Sequence, residues 1–125
     1  MIMNKVSSSF LNNNDILFEL YNELVKKLDS LPKLKIKTRD SYLKAIVFCH
    51  HKNFALISFL NDDGGLMKDS FRIIFQMDKE LKNDRLKIVP EHQPNDYVYY
   101  VTINKKQDID EEIIEWLKES YENAK

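Results

Sequence analysis

The sequence predicts an α+β fold, a two-layer sandwich in which an antiparallel sheet of about five strands carries the N- and C-terminal helices on one face. Two observations predict it. Amphipathic helical patterns stand near both ends of the chain, and apolar runs of strand length, separated by short turns, lie between them. Strands joined by short turns pair antiparallel, and helices with a single apolar face most simply pack together on one side of a sheet.

The length and composition fit one domain. The chain has 125 residues, of which 43% are hydrophobic and 31% charged, which suffices for a single core. Residues 1–13 are rich in serine and asparagine and predict a flexible lead-in, so the domain is expected to span residues 14–125.

The first helix is predicted from its cap and its period. Asn14 or Asp15 can cap its N-terminus, and Leu31-Pro32 follows as the stop. Between these points the apolar residues recur at steps of three and four, at Leu17, Leu20, Tyr21, Leu24, Val25 and Leu28.

The strands follow as apolar runs. Residues 42–49 and 54–60 flank a polar turn and predict a hairpin, and the turn from Asn61 to Gly65 predicts another. Residues 71–77 fit either a helix or a strand, and we favour a strand because Phe71, Ile73, Phe75 and Met77 alternate. Residues 85–89 and 97–103 complete the sheet on either side of a loop at 90–96.

The closing helix carries a capping pattern and an apolar face. Asp108 is the predicted cap, with Glu111 three residues later. The apolar side of the helix comprises Ile109, Ile113, Trp116, Leu117 and Tyr121.

The face of the sheet opposite the helices is the predicted binding surface. If Leu43, Ala45, Val47 and Cys49 face the helices, then Tyr42, Lys44, Ile46 and Phe48 point away from them, and an exposed apolar patch of that kind marks an interface. The candidate binding residues are Lys35, Lys37, Tyr42, Lys44, Phe48, Arg72 and Tyr100. A homodimer packed sheet to sheet, or a face covered by the lead-in, explains the patch equally well.

A sharper interpretation of this face is a platform for single-stranded nucleic acid, because bases stack on aromatic rings while lysine and arginine hold phosphates. The run from Lys52 to Phe59 partly matches the strand signature of the RNA-recognition motif. However, Asn53 replaces the glycine, Leu56 replaces an aromatic, and the predicted element order lacks the helix that this fold needs next. We interpret the match as chance.

Charge is balanced overall and uneven locally. The formal net charge is -1, which predicts no global attraction to nucleic acid or to an anionic membrane surface. Cations crowd the segment that enters the sheet, which is most simply an edge strand protected by lysines. A small anion site around Lys35, Lys37 and Lys44 is the alternative, since alternate strand residues share a face.

The sequence shows no catalytic constellation, cofactor motif or metal-ligand spacing. Cys49 predicts a buried structural thiol, and His50, His51 and His92 are spaced unlike zinc ligands. A single cysteine and the lack of a signal-like or membrane-spanning apolar run predict a cytoplasmic protein. We therefore expect a non-catalytic binding module that meets a protein partner, a second copy or a nucleic acid. The alternative is a small-ligand binder or enzyme with an anionic substrate near the basic segment and His92.

Two stretches of the chain carry a further pattern. One is the run from Lys37 to Ala55, with Tyr42 and with Asn53-Phe54-Ala55 closing a hairpin. The other runs from Tyr97 through Asp108-Ile109-Asp110-Glu111 to the ending Trp116 to Glu122. Both stretches resemble a widespread bacterial domain of unknown function. Relatives of this kind occur alone or appended to proteins labelled as predicted transport or restriction-endonuclease-like proteins, so the resemblance implies a small accessory module. It implies no catalytic residues.

Overall fold

The computed structural model describes residues 11, 14–39, 45–60, 65, 67–88 and 97–124. It has two α-helices and a six-stranded sheet, with a single turn of 3-10 helix at Lys106–Asp108 before the second helix. In chain order the elements are α1 (Asp15–Leu28), β1 (Lys35–Arg39), β2 (Ala45–Cys49), β3 (Asn53–Ser58), β4 (Phe71–Met77), β5 (Lys87–Ile88), β6 (Tyr97–Ile103) and α2 (Glu111–Asn123).

The sheet is antiparallel throughout, in the order β1-β2-β3-β4-β6-β5. The predicted α+β class with N- and C-terminal helices is therefore confirmed. The sixth strand, which was not among the five predicted, is the basic segment β1. It lies at the edge of the described sheet, which agrees with the interpretation of its lysines as protection of an edge strand. The order also places β6 between β4 and β5, although β5 precedes it in the chain.

Residues 71–77, which fit two patterns, form a strand. In β4 the alternate residues Phe71, Ile73, Phe75 and Met77 are buried, and the residues between them are more exposed. This is the period of two that a strand with one buried face requires, so the preference for a strand is confirmed.

Helix α1 begins as predicted. The Asn14 side chain accepts a hydrogen bond from the Leu17 backbone N–H at 3.1 Å, which satisfies one of the free donors of the first turn. Its buried face includes Leu17, Leu20 and Leu24. The helix ends at Leu28, and the Leu31 N–H donates to the Leu28 carbonyl at 3.0 Å.

The predicted cap of the second helix is wrong by two residues. Asp110 caps α2, accepting from the Ile113 N–H at 3.2 Å. Asp108 instead accepts from the Asn104 and Lys105 backbone N–H groups and closes the 3-10 turn. Both aspartates are good caps, and which one caps the helix depends on where the chain turns, which a local pattern does not specify.

The core lies between the helices and one face of the sheet, and it corrects the predicted orientation of β2. Ile46 and Phe48 belong to this core with exposures of 0% and 1%, so the prediction that both point away from the helices is wrong. All five residues of β2 are apolar and buried, so the strand lacks the alternation from which a facing is normally deduced.

A β-bulge between β2 and β3 sets the position of one core aromatic. Phe48 pairs with Ala55 and Cys49 pairs with Asn53, which leaves Phe54 as the extra residue. The Phe54 ring meets the Tyr121 ring of α2 edge to face, with centroids 5.7 Å apart. The bulge therefore turns an additional aromatic side chain towards the helix layer.

Several sequence predictions fall outside the described residues. These are Tyr42, Lys44 and His92, the turn at 61–64, the loop at 90–96 and all of the predicted lead-in except Leu11. Leu11 itself is only 2% exposed and belongs to the core, so it packs with the domain. Neither of the described helices is long and apolar enough to cross a membrane.

Candidate binding face

The face of the sheet opposite the core is formed by residues that alternate with the core residues along each strand. The pairing registers align these residues across the sheet, because directly paired residues point to the same side. We call this set the open face. It comprises Lys35, Lys37, Arg39, Ala45, Val47, Cys49, Asn53, Leu56, Ser58, Arg72, Ile74, Gln76, Lys87, Val98, Tyr100 and Thr102.

One row of the open face crosses all six strands. It runs from Lys37 at the β1 edge to Lys87 at the β5 edge, through Val47, Leu56, Ile74 and Tyr100. Strands lie about 4.8 Å apart, so the row is about 24 Å long. It places a cation at each end and apolar and aromatic side chains in the middle.

The open face is cationic although the chain is not. Among the described strand residues of this face, five are cations and none carries a carboxylate; the cations are Lys35, Lys37, Arg39, Arg72 and Lys87. The acids are concentrated in the helix layer instead, where α2 contains five glutamates and a single lysine. The two layers therefore present opposite charges.

Arg72 and Tyr100 form a stacked pair within this face. The Arg72 guanidinium carbon lies 4.6 Å from the centroid of the Tyr100 ring, a cation–π arrangement. Their strands are neighbours, with Arg72 paired to Thr102 and Ile74 paired to Tyr100, so the contact runs diagonally across two strands. The pair presents a flat aromatic and guanidinium surface at half-buried positions.

A depression of about 220 Å³ is lined in part by Ile74, the residue that pairs with Tyr100. Val47, Leu56, Ile74 and Val98 supply apolar walls from four strands, and Asn53 and Gln76 add amide groups. None of the described side chains that line it carries a charge. The depression can therefore accept a flat apolar group with polar edges, and its described lining offers no nucleophile or general base.

Residues 6–124 match the family described as Domain of unknown function (DUF5655). The chain belongs to this family. The match covers nearly the whole sequence and confirms the resemblance to a domain of unknown function. Neither the curated proteins nor the solved structures include a match to the chain.

The structure brings together four of the seven candidate binding residues of this DUF5655 member. Lys35, Lys37, Arg72 and Tyr100 all belong to the open face. Phe48 does not, because it lies in the core, and Tyr42 and Lys44 are outside the described residues. The apolar centre around Leu56 was not predicted, because the predicted facing of β2 put Ile46 and Phe48 on this face in place of Val47.

Cys49 and His50 of the DUF5655 domain are packed against neighbouring side chains. Cys49 is buried, as predicted, and its Sγ donates to the Asn53 Oδ1 at 2.9 Å. The His50 ring stacks on the Tyr121 ring with centroids 4.2 Å apart. Among the described residues, no group of three or more His, Cys, Asp or Glu side chains is placed to hold a metal ion.

A separate cluster of charges lies at the N-terminus of α2. The Arg85 Nη1 donates to the Asp110 Oδ2 at 2.8 Å and to the Glu112 Oε1 at 3.0 Å. Burial raises the pKa of Asp110, but the Ile113 N–H and the hydrogen bond and charge of Arg85 outweigh it and leave this pKa lowered. Burial lowers the pKa of Arg85, but the hydrogen bonds and charges of Asp110 and Glu112 outweigh burial and leave this pKa raised. These groups satisfy one another, so the cluster is structural.

Proposed function

We propose that this domain is a non-catalytic accessory module that binds an anionic partner through its open face. The observation that carries the proposal is the set of five cations around an apolar centre, without a carboxylate among the described strand residues of that face. The chain as a whole has a net charge of -1, so this distribution is local and is not a consequence of composition.

An anionic partner fits this face for two physical reasons. The cations of this face repel one another. A partner of opposite charge offsets that repulsion and is itself attracted to the face. The apolar centre adds burial that charge alone does not supply, since half-buried side chains such as Leu56 and Ile74 lose their remaining contact with water on binding. An acidic protein surface, the acidic α2 layer of a second copy and a nucleic acid all share this chemistry.

The face supports binding better than catalysis. No described residue that lines the depression is charged, and Lys35 and Lys37 lie on the edge strand, outside this lining. Lys44 and His92, on which an enzyme with an anionic substrate also depends, are outside the described residues. A buried free thiol such as Cys49 is in keeping with action in a reducing cytoplasm.

Retention on an immobilised polyanion tests the proposal. We expect the wild-type protein to be retained on heparin at about 50 mM salt and released as the salt rises, because screening weakens contacts between exposed charges. The variant Lys35→Glu/Lys37→Glu is expected to flow through. The matched control is Lys26→Glu/Lys106→Glu, which makes the same change of charge at exposed positions of α1 and of the 3-10 turn.

The two variants separate a specific face from a general effect of charge. Retention of the control with loss of the open-face variant supports the proposal. Equal loss in both variants, or no retention of the wild-type protein at low salt, contradicts it.

A further inference from the structure

We infer that the anionic partner is a single-stranded nucleic acid, which lies across the strands along the row from Lys37 to Lys87. This inference rests on the proposed function, since it names the chemistry of the partner that the open face binds. The features that distinguish a nucleic acid from an acidic protein lie between the cations, in the centre of the row.

The row contains the two kinds of group that a single strand needs, with cations at its ends and apolar and aromatic side chains between them. Lys37 and Lys87 stand at its ends and can hold phosphates, while Leu56, Ile74 and Tyr100 lie between them. The row is about 24 Å long. That length suits a short segment near the lower limit of known single-strand sites, about 4 nucleotides.

The Arg72 and Tyr100 pair supplies a stacking surface. Bases stack on tyrosine rings and on guanidinium planes, and such stacking tolerates any sequence because every base has a π-face. The Arg72 guanidinium already lies over the Tyr100 ring, with its carbon 4.6 Å from the ring centroid, so part of the stack exists before a base arrives. A carboxylate of a protein partner can pair with the Arg72 guanidinium, but it has no π-face to stack on the Tyr100 ring.

The depression provides a second place for a base. Its half-buried apolar walls at Leu56, Ile74 and Val98 suit the face of a base, and the amides of Asn53 and Gln76 can donate to and accept from its edge. The bases of a duplex are stacked and paired, so they reach neither the depression nor the ring. The arrangement therefore predicts preference for a single strand.

Fluorescence anisotropy with a labelled oligothymidine of about eight nucleotides tests the inference. We expect the wild-type protein to bind this single strand more tightly than a hairpin duplex and more tightly than a polyglutamate peptide of similar charge. The affinity is expected to fall steeply between about 50 mM and about 200 mM salt, because phosphate contacts release counterions.

Two variants distinguish stacking from charge. Tyr100→Ala is expected to weaken binding about 5- to 150-fold, whereas Tyr100→Phe, which keeps the ring, is expected to bind like the wild type. Lys37→Ala replaces an exposed side chain, so we expect this variant to fold like the wild type. It is expected to lower the magnitude of the slope of log affinity against log salt by about 0.7, the value for one lost phosphate contact.

The outcomes separate this inference from the proposed function. Equal binding of oligothymidine, duplex and polyglutamate, with no effect of Tyr100→Ala, overturns the nucleic-acid assignment and leaves an anionic partner standing. A dimer in light scattering that Ile74→Glu dissociates overturns it as well, because a second copy then occupies the face. Failure to bind any polyanion, heparin included, overturns both.

Discussion

Arg85 joins two segments that are distant in sequence, and Asp110 has two functions at once. Arg85 belongs to the connection between β4 and β5, whereas Asp110 caps α2 and also accepts from the Arg85 guanidinium. The Arg85 Nη2 additionally donates to the Asp108 carbonyl at 3.0 Å. A single carboxylate therefore fixes both the start of α2 and the path of the connection between β4 and β5.

Replacement of Asp110 separates these two roles. We expect Asp110→Ala to lower the free energy of unfolding by about 1 to 2 kcal/mol, since it removes both the cap and the partially exposed ion pair. Asp110→Asn keeps a capping oxygen and is expected to cost less. Urea denaturation measures both variants. An equal cost for the two variants contradicts a contribution from the cap.

The lowered pKa of Asp110 gives stability a defined dependence on pH. Because this pKa lies lower in the folded state than the ordinary value of 3.8, the ionised carboxylate stabilises the fold above that value. The contribution is lost as the pH falls through the folded-state pKa. We therefore expect the difference in unfolding free energy between wild type and Asp110→Asn to be constant near neutral pH and to shrink below about pH 4. Urea titrations across this range measure it, and a constant difference contradicts the assignment.

At the scale of elements, the orientation of β2 decides which side of the sheet is core. Ile36 of β1 pairs with Phe48, and both lie in the core, whereas Lys37 pairs with Val47 on the open face. After the bulge at Phe54, the residues of β3 alternate between the core and the open face. Leu56 therefore pairs with Val47 on the open face and points away from the helices. The basic edge strand and the apolar centre of the face share one side for this reason.

Truncation of one residue from each side of the sheet tests this orientation. Phe48→Ala is expected to lower the free energy of unfolding by about 3 to 5 kcal/mol, because it leaves a cavity in a closely packed core. Leu56→Ala lies on the open face at a half-buried position and is expected to cost less than half as much. Chemical denaturation of both variants measures these free energies of unfolding. A greater loss of stability for Leu56→Ala than for Phe48→Ala contradicts the described orientation.

At the scale of the whole molecule, the last turns of α2 close the structure. The Tyr121 hydroxyl donates to the Pro32 carbonyl in the connection between α1 and β1, and the Ser120 hydroxyl donates to the Gln76 carbonyl of β4. The His51 N–H of the turn between β2 and β3 donates to the Ala124 carbonyl at 3.2 Å. The C-terminal helix thus contacts three regions that are remote from it in sequence.

Tyr121 allows the hydroxyl and the ring to be tested separately. Tyr121→Phe removes the hydrogen bond to Pro32 and is expected to cost about 0.5 to 1.5 kcal/mol. Tyr121→Ala also removes the ring that contacts Phe54 and His50, and it is expected to cost about 3 to 5 kcal/mol. Thermal unfolding of the two variants checks this order. Equal melting temperatures for both variants contradict a structural role for the ring.

Local periods and caps, which a short stretch of chain contains, were enough to predict the two helices and the α+β class, and they favoured a strand over a helix at 71–77. The sequence named Lys35, Lys37, Arg72 and Tyr100 as candidate binding residues, and the strand pairing places all four on the open face. Long-range packing set the facing of β2, where five consecutive apolar residues carry no period, and it set the choice of Asp110 over Asp108 as the cap. It likewise placed β6 between β4 and β5. Each of these depends on contacts between residues far apart in the chain, and a local pattern does not encode such contacts.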